Sequence, residues 1–300
     1  MNDTQPTTAL MFLHAQTSLH PGSGTALGVV DLPIQRERHT QWPLIPATSL
    51  KGVLRDACSR RSADKEQVLA AFGPETAEAE KHAGAISVTD ARILAFPVRS
   101  LRGVFAWVTA PTVLERFNRD AALAKLPRLD LPPPPARGKA ICPAQSPLLV
   151  DGNVIVLEEF EFEVLSQPPV VAQRLAQEAF LTEDDTTPAA FRNRLAILHD
   201  DDFTHFVRHA TEVVARIGLD AATKTVKQGA LFYQEFLPSE TLMYAIVFAH
   251  GSRRENTSWD AKAMLAHVRE NLPAVLQIGG DETTGKGLCA VRLGNGKEGA

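Results

Sequence analysis

The sequence predicts an α+β fold in which a ferredoxin-like core carries long insertions. Strand-like and helix-like segments are mixed along the chain, an early strand is apolar on both faces, and no tandem repeat is present. With 44% hydrophobic and 22% charged residues, 300 residues are enough for one large core or two small ones, so disorder is not expected.

The N-terminal segment predicts a buried strand, a long loop and a helix. Residues 8–17 (TALMFLHAQT) are apolar on both alternating faces, as in a central strand covered on both sides. Residues 20–47 are rich in Gly and Pro and too long for an ordinary connection, which makes them a candidate functional loop. Ser49 then caps a helix on which Lys51 and Arg55, four residues apart, share one face. The stripe facing the core would consist of Leu50, Val53, Leu54, Ala57 and Cys58.

The rest of the chain continues this mixture of elements. Strands are predicted over 85–98, 102–109, 154–164, 241–249, 275–278 and 288–293. Helices are predicted over 111–124 and 258–271, with two further helical patterns within 169–199. Asp200, Asp201 and Asp202 are interpreted as a turn, and residues 211–217 and 225–236 as the two strands of a hairpin.

Charge is segregated along the chain. The net charge of −4 by itself speaks against a nucleic-acid binder, because phosphates are contacted mostly by Lys and Arg. Residues 35–61, however, hold six basic and two acidic residues, and residues 92–128 hold seven and two. Residues 155–205 reverse this, with three basic and eleven acidic residues. The pattern suits a subunit that grips RNA on one side and its neighbours on another, although merely solvated faces would give the same counts.

Cysteine spacing and the N-terminus exclude other classes. Cys58, Cys142 and Cys289 form no C-x-x-C pair, so neither a disulfide framework nor a thiolate zinc site is indicated. A secretory leader is not recognisable, and no apolar run reaches the roughly eighteen residues of a membrane span. We therefore expect a soluble, cytoplasmic protein without a membrane partner.

A glycine-rich loop over residues 279–287 (GGDETTGKG) follows a predicted strand. Gly280 to Lys286 match G-x-x-x-x-G-K, but Gly287 stands where a P-loop needs Ser or Thr, and a strand rather than a helix follows. Nucleotide hydrolysis is therefore not favoured. Two interpretations remain: a loop whose glycines and Lys286 cradle RNA phosphates, or a plain tight turn.

Four segments together resemble the backbone RAMP subunit of the type III-B CRISPR (Cmr) effector complex. They are HAQTSLHPGSGTALGVVDLPIQRERHT, PATSLKGVLRD, ARILAFPVRSLRGVFAWVT and KQGALFYQEFLPSETLMYAIV, followed by the closing IGGDETTGKG loop. The resemblance implies one RAMP domain over 1–300, with a modified ferredoxin-like or RRM palm built from about 8–61, 85–128 and 241–293. It also implies a thumb hairpin over about 211–236. Its implied partners are crRNA, target single-stranded RNA, further copies in a helical filament and the other subunits of the complex.

The resemblance also implies roles for individual residues. Guide RNA would be held by Ser49, Lys51, Arg55, Arg36, Arg38, Gly279, Gly280, Gly285, Lys286 and Gly287. Target RNA would be cut by Asp31 as an endoribonuclease residue, with His20 and Glu235 as secondary helpers and a divalent metal, Mg²⁺ or Mn²⁺, at Asp31. The thumb, with apolar Val213, Val214 and Ile217 and basic Lys224 and Lys227, would wedge between bases.

Three alternatives stay open from the residues alone. Asp31 could form an ion pair with Arg36 or Arg38 and have no catalytic role. The chain could coat guide RNA as a non-catalytic scaffold. It could also be a stand-alone endonuclease that processes precursor RNA, although no acid and base pair suited to that work is visible in the sequence.

Overall fold

A computed structural model of the chain describes residues 6–26, 28–78, 80–180, 186–220, 222–255 and 257–294. The strands in these ranges are β1 (Thr7–Ala15), β2 (Leu44–Ile45), β3 (Ile86–Val88), β4 (Ala91–Arg99), β5 (Phe105–Thr109), β6 (Lys139–Cys142), β7 (Val154–Leu157), β8 (Phe160–Ser166), β9 (Leu195–Leu198), β10 (Glu212–Leu219), β11 (Val226–Phe236), β12 (Leu242–Ala249), β13 (Val275–Gln277) and β14 (Leu288–Leu293). The helices are α1 (Ala47–Arg61), α2 (Lys65–Phe72), α3 (Pro111–Leu123), α4 (Val170–Ala179), α5 (Thr186–Arg194), α6 (Asp200–His209) and α7 (Ala261–Asn271).

One broad mixed sheet forms the centre of the fold. Its order is β13-β14-β1-β12-β4-β5-β9-β6-β8-β7, with β2 beside β4 and β3 beside β12. All of these pairs are antiparallel except β5 with β9 and β6 with β8. The arrangement confirms the α+β prediction.

Strand β1 occupies an interior position in the sheet, between β12 and β14. Its residues from Ala9 to Leu13 are all buried, as the double-sided apolar pattern predicts. Helix α1 buries Leu50 and Leu54 beneath the same core, and Val53 packs against it partly exposed. The predicted core stripe of this helix is therefore confirmed.

A second, two-stranded sheet stands apart from the main one. Strands β10 and β11 pair with each other from Glu212 opposite Phe236 to Leu219 opposite Val226, and β11 also forms an isolated bridge between Gln234 and Leu32 of the long loop. Apolar side chains on this hairpin remain open to solvent, with Val213 49%, Ile217 53% and Leu231 54% exposed. The hairpin expected over residues 211–236 thus forms as a separate, partly apolar arm, and we call it the thumb.

Two local predictions about helix starts are wrong. Ser49 is not the cap of α1, because the helix begins at Ala47 after Pro46, and the first free amide is met by Asp90, whose Oδ1 accepts from Ala47 N at 2.7 Å. Asp200, Asp201 and Asp202 form the first turn of α6 and not a turn between elements. Carboxylates are favoured there by the helix dipole, so this acidic run marks a helix start.

Several strand boundaries also differ from the prediction, and the segment 154–164 forms two strands, β7 and β8, separated by Glu158 and Glu159. The segment 85–98 is interrupted at Thr89 and Asp90, which separate β3 from β4. The second helical pattern within 169–199 ends early, because Leu195–Leu198 is strand β9. Four consecutive buried apolar residues carry no period that distinguishes a buried helix from a buried strand.

Candidate nucleic-acid interface and cleavage site

The long loop over residues 20–47 runs along the root of the thumb and holds Asp31 against β11. Asp31 Oδ2 accepts from Tyr233 N at 2.7 Å, and the amides of Asp31 and Leu32 donate to Tyr233 O at 3.1 and 3.0 Å. No other described residue donates to the carboxylate, which is half-buried. Asp31 therefore pairs with neither Arg36 nor Arg38 within the described structure, and its Oδ1 faces no protein donor there.

Glu235 is the centre of a buried polar cluster beneath this loop. The residue is 6% exposed, and its carboxylate accepts from Arg36 Nη2 at 2.6 Å, Thr211 Oγ1 at 2.8 Å and Ile34 N at 3.0 Å. Arg36 also donates to the carbonyl oxygens of Gln41 and Val207. These contacts engage both side chains inside the protein, so their geometry favours a structural role over catalysis for Glu235 and over RNA binding for Arg36.

His20 lies beside the same cluster and is 8% exposed. Its Nδ1 donates to Glu235 O at 2.7 Å, and its ring packs 5.5 Å from the ring of Phe236. The imidazole thereby fixes the start of the long loop to the end of β11. Its predicted secondary role in cleavage stays a prediction.

The glycine-rich loop (residues 279–287) packs its backbone tightly against neighbouring segments. A Cβ on Gly279 would lie 2.4 Å from His20 O, and one on Gly287 would lie 2.1 Å from Ile278 O. Both residues have positive φ, so only glycine fits. Gly285, with φ 75°, faces open space, and Gly280 N donates to His20 O. Gly279 and Gly287 are thus required by packing, whereas no described atom would contact a Cβ at Gly285.

The glycine-rich loop meets the thumb through charged side chains. Lys286 Nζ lies 5.1 Å from the centre of the buried Phe236 ring, and the guanidinium of Arg216 lies 5.5 Å from it. Asp281 Oδ1 pairs with Arg216 Nη2 at 3.1 Å, and its Oδ2 accepts from Gln234 Nε2 at 2.6 Å. The sequence analysis assigned no role to Arg216, Gln234 or Asp281. Asp281 lies in the glycine-rich loop and Gln234 in the predicted hairpin, but no local pattern shows that the three side chains meet.

Helix α1 contributes a second group of cations. Burial lowers the pKa of the Lys51 ammonium, and the neighbouring positive charges of Arg55 and Arg253 lower it further. Arg55 donates to Pro74 O at 3.1 Å and pairs with Glu75 at 2.8 Å, so part of its guanidinium is engaged. Ser49 lies in the first turn of the helix. Arg253, on the segment before α7, is a cation near Lys51 that the sequence analysis missed.

Helix α1 and the glycine-rich loop line one open cavity of about 360 Å³, to which Gly52 and Asp56 contribute from the helix and Glu282 from the loop. The loop in turn touches the thumb through Lys286 and Asp281, and the thumb touches Asp31 through Tyr233. Contacts through the thumb therefore link Lys286 to Asp31, whereas Lys51 is not among the residues that line the shared cavity. Arg38 is exposed on the long loop.

A protein cage for a metal ion is not formed, because the described residues include no group of three or more His, Cys, Asp or Glu side chains able to hold one. Mg²⁺ commonly binds through one or two carboxylates and otherwise through substrate phosphates and water. Asp31 is half-buried, and one of its oxygens has no partner among the described residues, so it fits that mode.

The fold is that of a RAMP protein. The family model of the RAMP superfamily matches residues 12–290. The chain belongs to the RAMP superfamily.

Two curated relatives share nearly its whole length. It is 42% identical over 285 residues to the CRISPR system Cmr endoribonuclease Cmr4 of Pyrococcus furiosus, covering 95% of each chain. It is 28% identical over 308 residues to the CRISPR system CMR subunit Cmr4 of Saccharolobus solfataricus, covering 94% of each. Within the superfamily, the chain therefore belongs to the Cmr4 family.

Solved structures agree with this placement. An oligomeric Cmr4 from Pyrococcus furiosus superposes with a TM-score of 0.74 at 34% identity, covering 97% of this chain and 98% of that one. A chain of a type III-B Cmr-beta complex bound to cognate target RNA superposes with a TM-score of 0.73 at 22% identity, which supports the fold alone. No helix among the described residues combines the length and apolar character needed to cross a membrane.

Proposed function

We propose that the chain is the guide-RNA-binding backbone subunit of a cytoplasmic type III-B CRISPR complex and cuts target RNA paired with the guide. The relative from Pyrococcus furiosus, 42% identical, is named a Cmr endoribonuclease, and a related Cmr4 was solved as an oligomer. Its partners would be crRNA, target single-stranded RNA, further copies of itself in a helical filament and the other subunits of the complex. Palm and thumb would belong to one domain.

The observation that carries the cleavage assignment is the placement of Asp31. Its carboxylate is held by a backbone amide at the thumb root and leaves Oδ1 without a protein donor among the described residues. The exposed apolar side chains of the thumb would separate stacked bases and splay one nucleotide out. The scissile linkage would then lie in line with its own 2′-hydroxyl beside Asp31.

The cleavage chemistry needs one base and one site of charge stabilisation. Asp31 would take the proton of the 2′-hydroxyl as the 2′-oxygen attacks phosphorus. The bond to the 5′-oxygen breaks, that oxygen takes a proton from water, and the products carry a 2′,3′-cyclic phosphate and a 5′-hydroxyl. Alternatively, Asp31 would hold a divalent metal, Mg²⁺ or Mn²⁺, which would stabilise the developing negative charge, and water would then take the proton. The one oxygen of Asp31 that has no donor among the described residues cannot both bind the metal and act as the base. Lys286 lies within the same path of contacts and would hold an adjoining phosphate of the guide.

The decisive experiment replaces Asp31 by asparagine. Asn keeps an oxygen for the Tyr233 amide, so the loop keeps its position while the base is lost. Assembled with guide RNA and its partner subunits, Asp31→Asn should bind target normally and cut it at least about a hundredfold more slowly. The control is Asp151→Asn, an exposed aspartate on another turn. Cleavage by Asp31→Asn at the normal rate would leave only the scaffold role. Cutting of precursor repeat RNA by the isolated chain would instead favour the processing endonuclease.

A further inference from the structure

Four consecutive residues at the end of β11 connect the two loops of the site. Tyr233 holds Asp31 through its amide and carbonyl, and Glu235 holds Arg36 and the amide of Ile34, all on the long loop. The two residues that alternate with them face the glycine-rich loop: Gln234 binds Asp281, and the Phe236 ring lies beneath Lys286. A shift of this short segment would therefore move both loops together.

Asp281 is the residue that joins the glycine-rich loop to both strands of the thumb. Its carboxylate accepts from Gln234 on β11 at 2.6 Å and pairs with Arg216 on β10 at 3.1 Å. Its carbonyl oxygen accepts from Lys286 N at 3.2 Å, so it also orders the turn that carries Lys286. Gln234 is 5% exposed, so water is a poor substitute for Asp281 at its side-chain amide.

We infer that Asp281 is a positioning residue for cleavage, one that places Asp31 on the target by fixing the thumb root to the guide-holding loop. The inference rests on the proposed function and adds a residue to it. Guide RNA bound to the glycine-rich loop fixes the position of Asp281. The hydrogen bond from Gln234 to Asp281 then fixes the adjacent Tyr233, which holds Asp31. A misplacement of about 1 Å at a reacting group can lower a rate on the order of a hundredfold, so this joint controls rate and not affinity.

The test removes the side chain of Asp281 without straining the backbone. Asp281 has φ 64°, a left-handed conformation that glycine adopts freely and asparagine tolerates. Asp281→Gly should lower the single-turnover cleavage rate at saturating target by about 10- to 100-fold, with guide and target affinities within about twofold of normal. Asp281→Asn, which keeps an acceptor for Gln234, should recover most of the rate. Asp151→Gly is the matched control, since Asp151 is also a left-handed aspartate, φ 49°, and is exposed elsewhere.

A second variant tests the path through Gln234. Gln234→Met fills the same buried space without an amide and should slow cleavage by a similar factor, with the double variant no slower than the worse single one. An unchanged rate in Asp281→Gly overturns the inference. So does a loss of guide affinity as large as the loss of rate, because Asp281 would then bind RNA directly. If the wild-type complex fails to cut, or Asp31→Asn cuts normally in the same assay, the proposed function has failed instead.

Discussion

Replacing Glu235 by alanine should lower the free energy of unfolding, because the Glu235 carboxylate neutralises the buried guanidinium of Arg36. Three donors converge on it: Arg36 Nη2 at 2.6 Å, Thr211 Oγ1 at 2.8 Å and Ile34 N at 3.0 Å. The side chains of the ion pair are only 15% and 8% exposed, for Arg36 and Glu235. Removing one partner of such a pair leaves an uncompensated buried charge and costs about 3–5 kcal/mol of unfolding free energy.

Urea denaturation of the isolated chain, followed by circular dichroism, would measure this cost. Glu235→Gln provides the graded comparison, because it leaves the Arg36 charge unneutralised as alanine does but keeps one oxygen that accepts hydrogen bonds. A hydrogen bond to a charged group contributes about 1.5–3 kcal/mol. We expect the unfolding free energy to decrease from wild type to Gln to Ala. If Glu235→Ala unfolds within about 1 kcal/mol of wild type while target cleavage is abolished, Glu235 acts in the chemistry and the structural argument is wrong.

Three further outcomes are expected. Gly287→Ala should fail to fold stably, because its Cβ would lie 2.1 Å from Ile278 O. A Cβ at Gly285 meets no described atom, so Gly285→Ala should lower the free energy of unfolding by only about 1–2 kcal/mol for its positive φ. Thermal unfolding measures both effects. Burial lowers the pKa of His267, so the folded state prefers the neutral ring; stability should be level above the ordinary value of 6.5 and fall as pH drops below it. The melting temperature of His267→Leu should fall less steeply with decreasing pH than that of the wild type. Parallel curves for the two proteins would contradict this assignment. Lys51→Ala should weaken guide binding about equally for all guide sequences and reduce the salt dependence of the affinity by roughly one counterion, and an unchanged salt slope would exclude a phosphate contact.

Local patterns in the sequence were sufficient for most elements. The double-sided apolar run of β1, the core stripe of α1 and the proline at the start of α3 each depend on residues within a few positions of one another. Local patterns failed where the same residues fit more than one kind of element. The four apolar residues Leu195–Leu198 fit a buried helix or strand equally well, and only pairing with β5 and β6 decides for a strand.

For the functional site, too, the sequence identified some residues and only the structure decided the roles of others. Sequence resemblance identified Asp31, Lys51 and Lys286 as candidates, but gave no means of telling which neighbouring residues are structural. Glu235 was expected to be a secondary helper in cleavage and Arg36 a guide-RNA contact, and the structure pairs them with each other in a buried cluster.

By itself, the sequence determined the fold class, the presence of the thumb hairpin and the family resemblance that the glycine-rich loop and the long loop help to carry. Tertiary structure alone decided which side chains meet: the Tyr233 amide and Asp31 are 202 positions apart, and Gln234 and Asp281 are 47 apart. The reason is physical, because strand and helix patterns arise from contacts between near neighbours along the chain. Hydrogen bonds between loops depend on how a whole sheet brings distant segments to one edge.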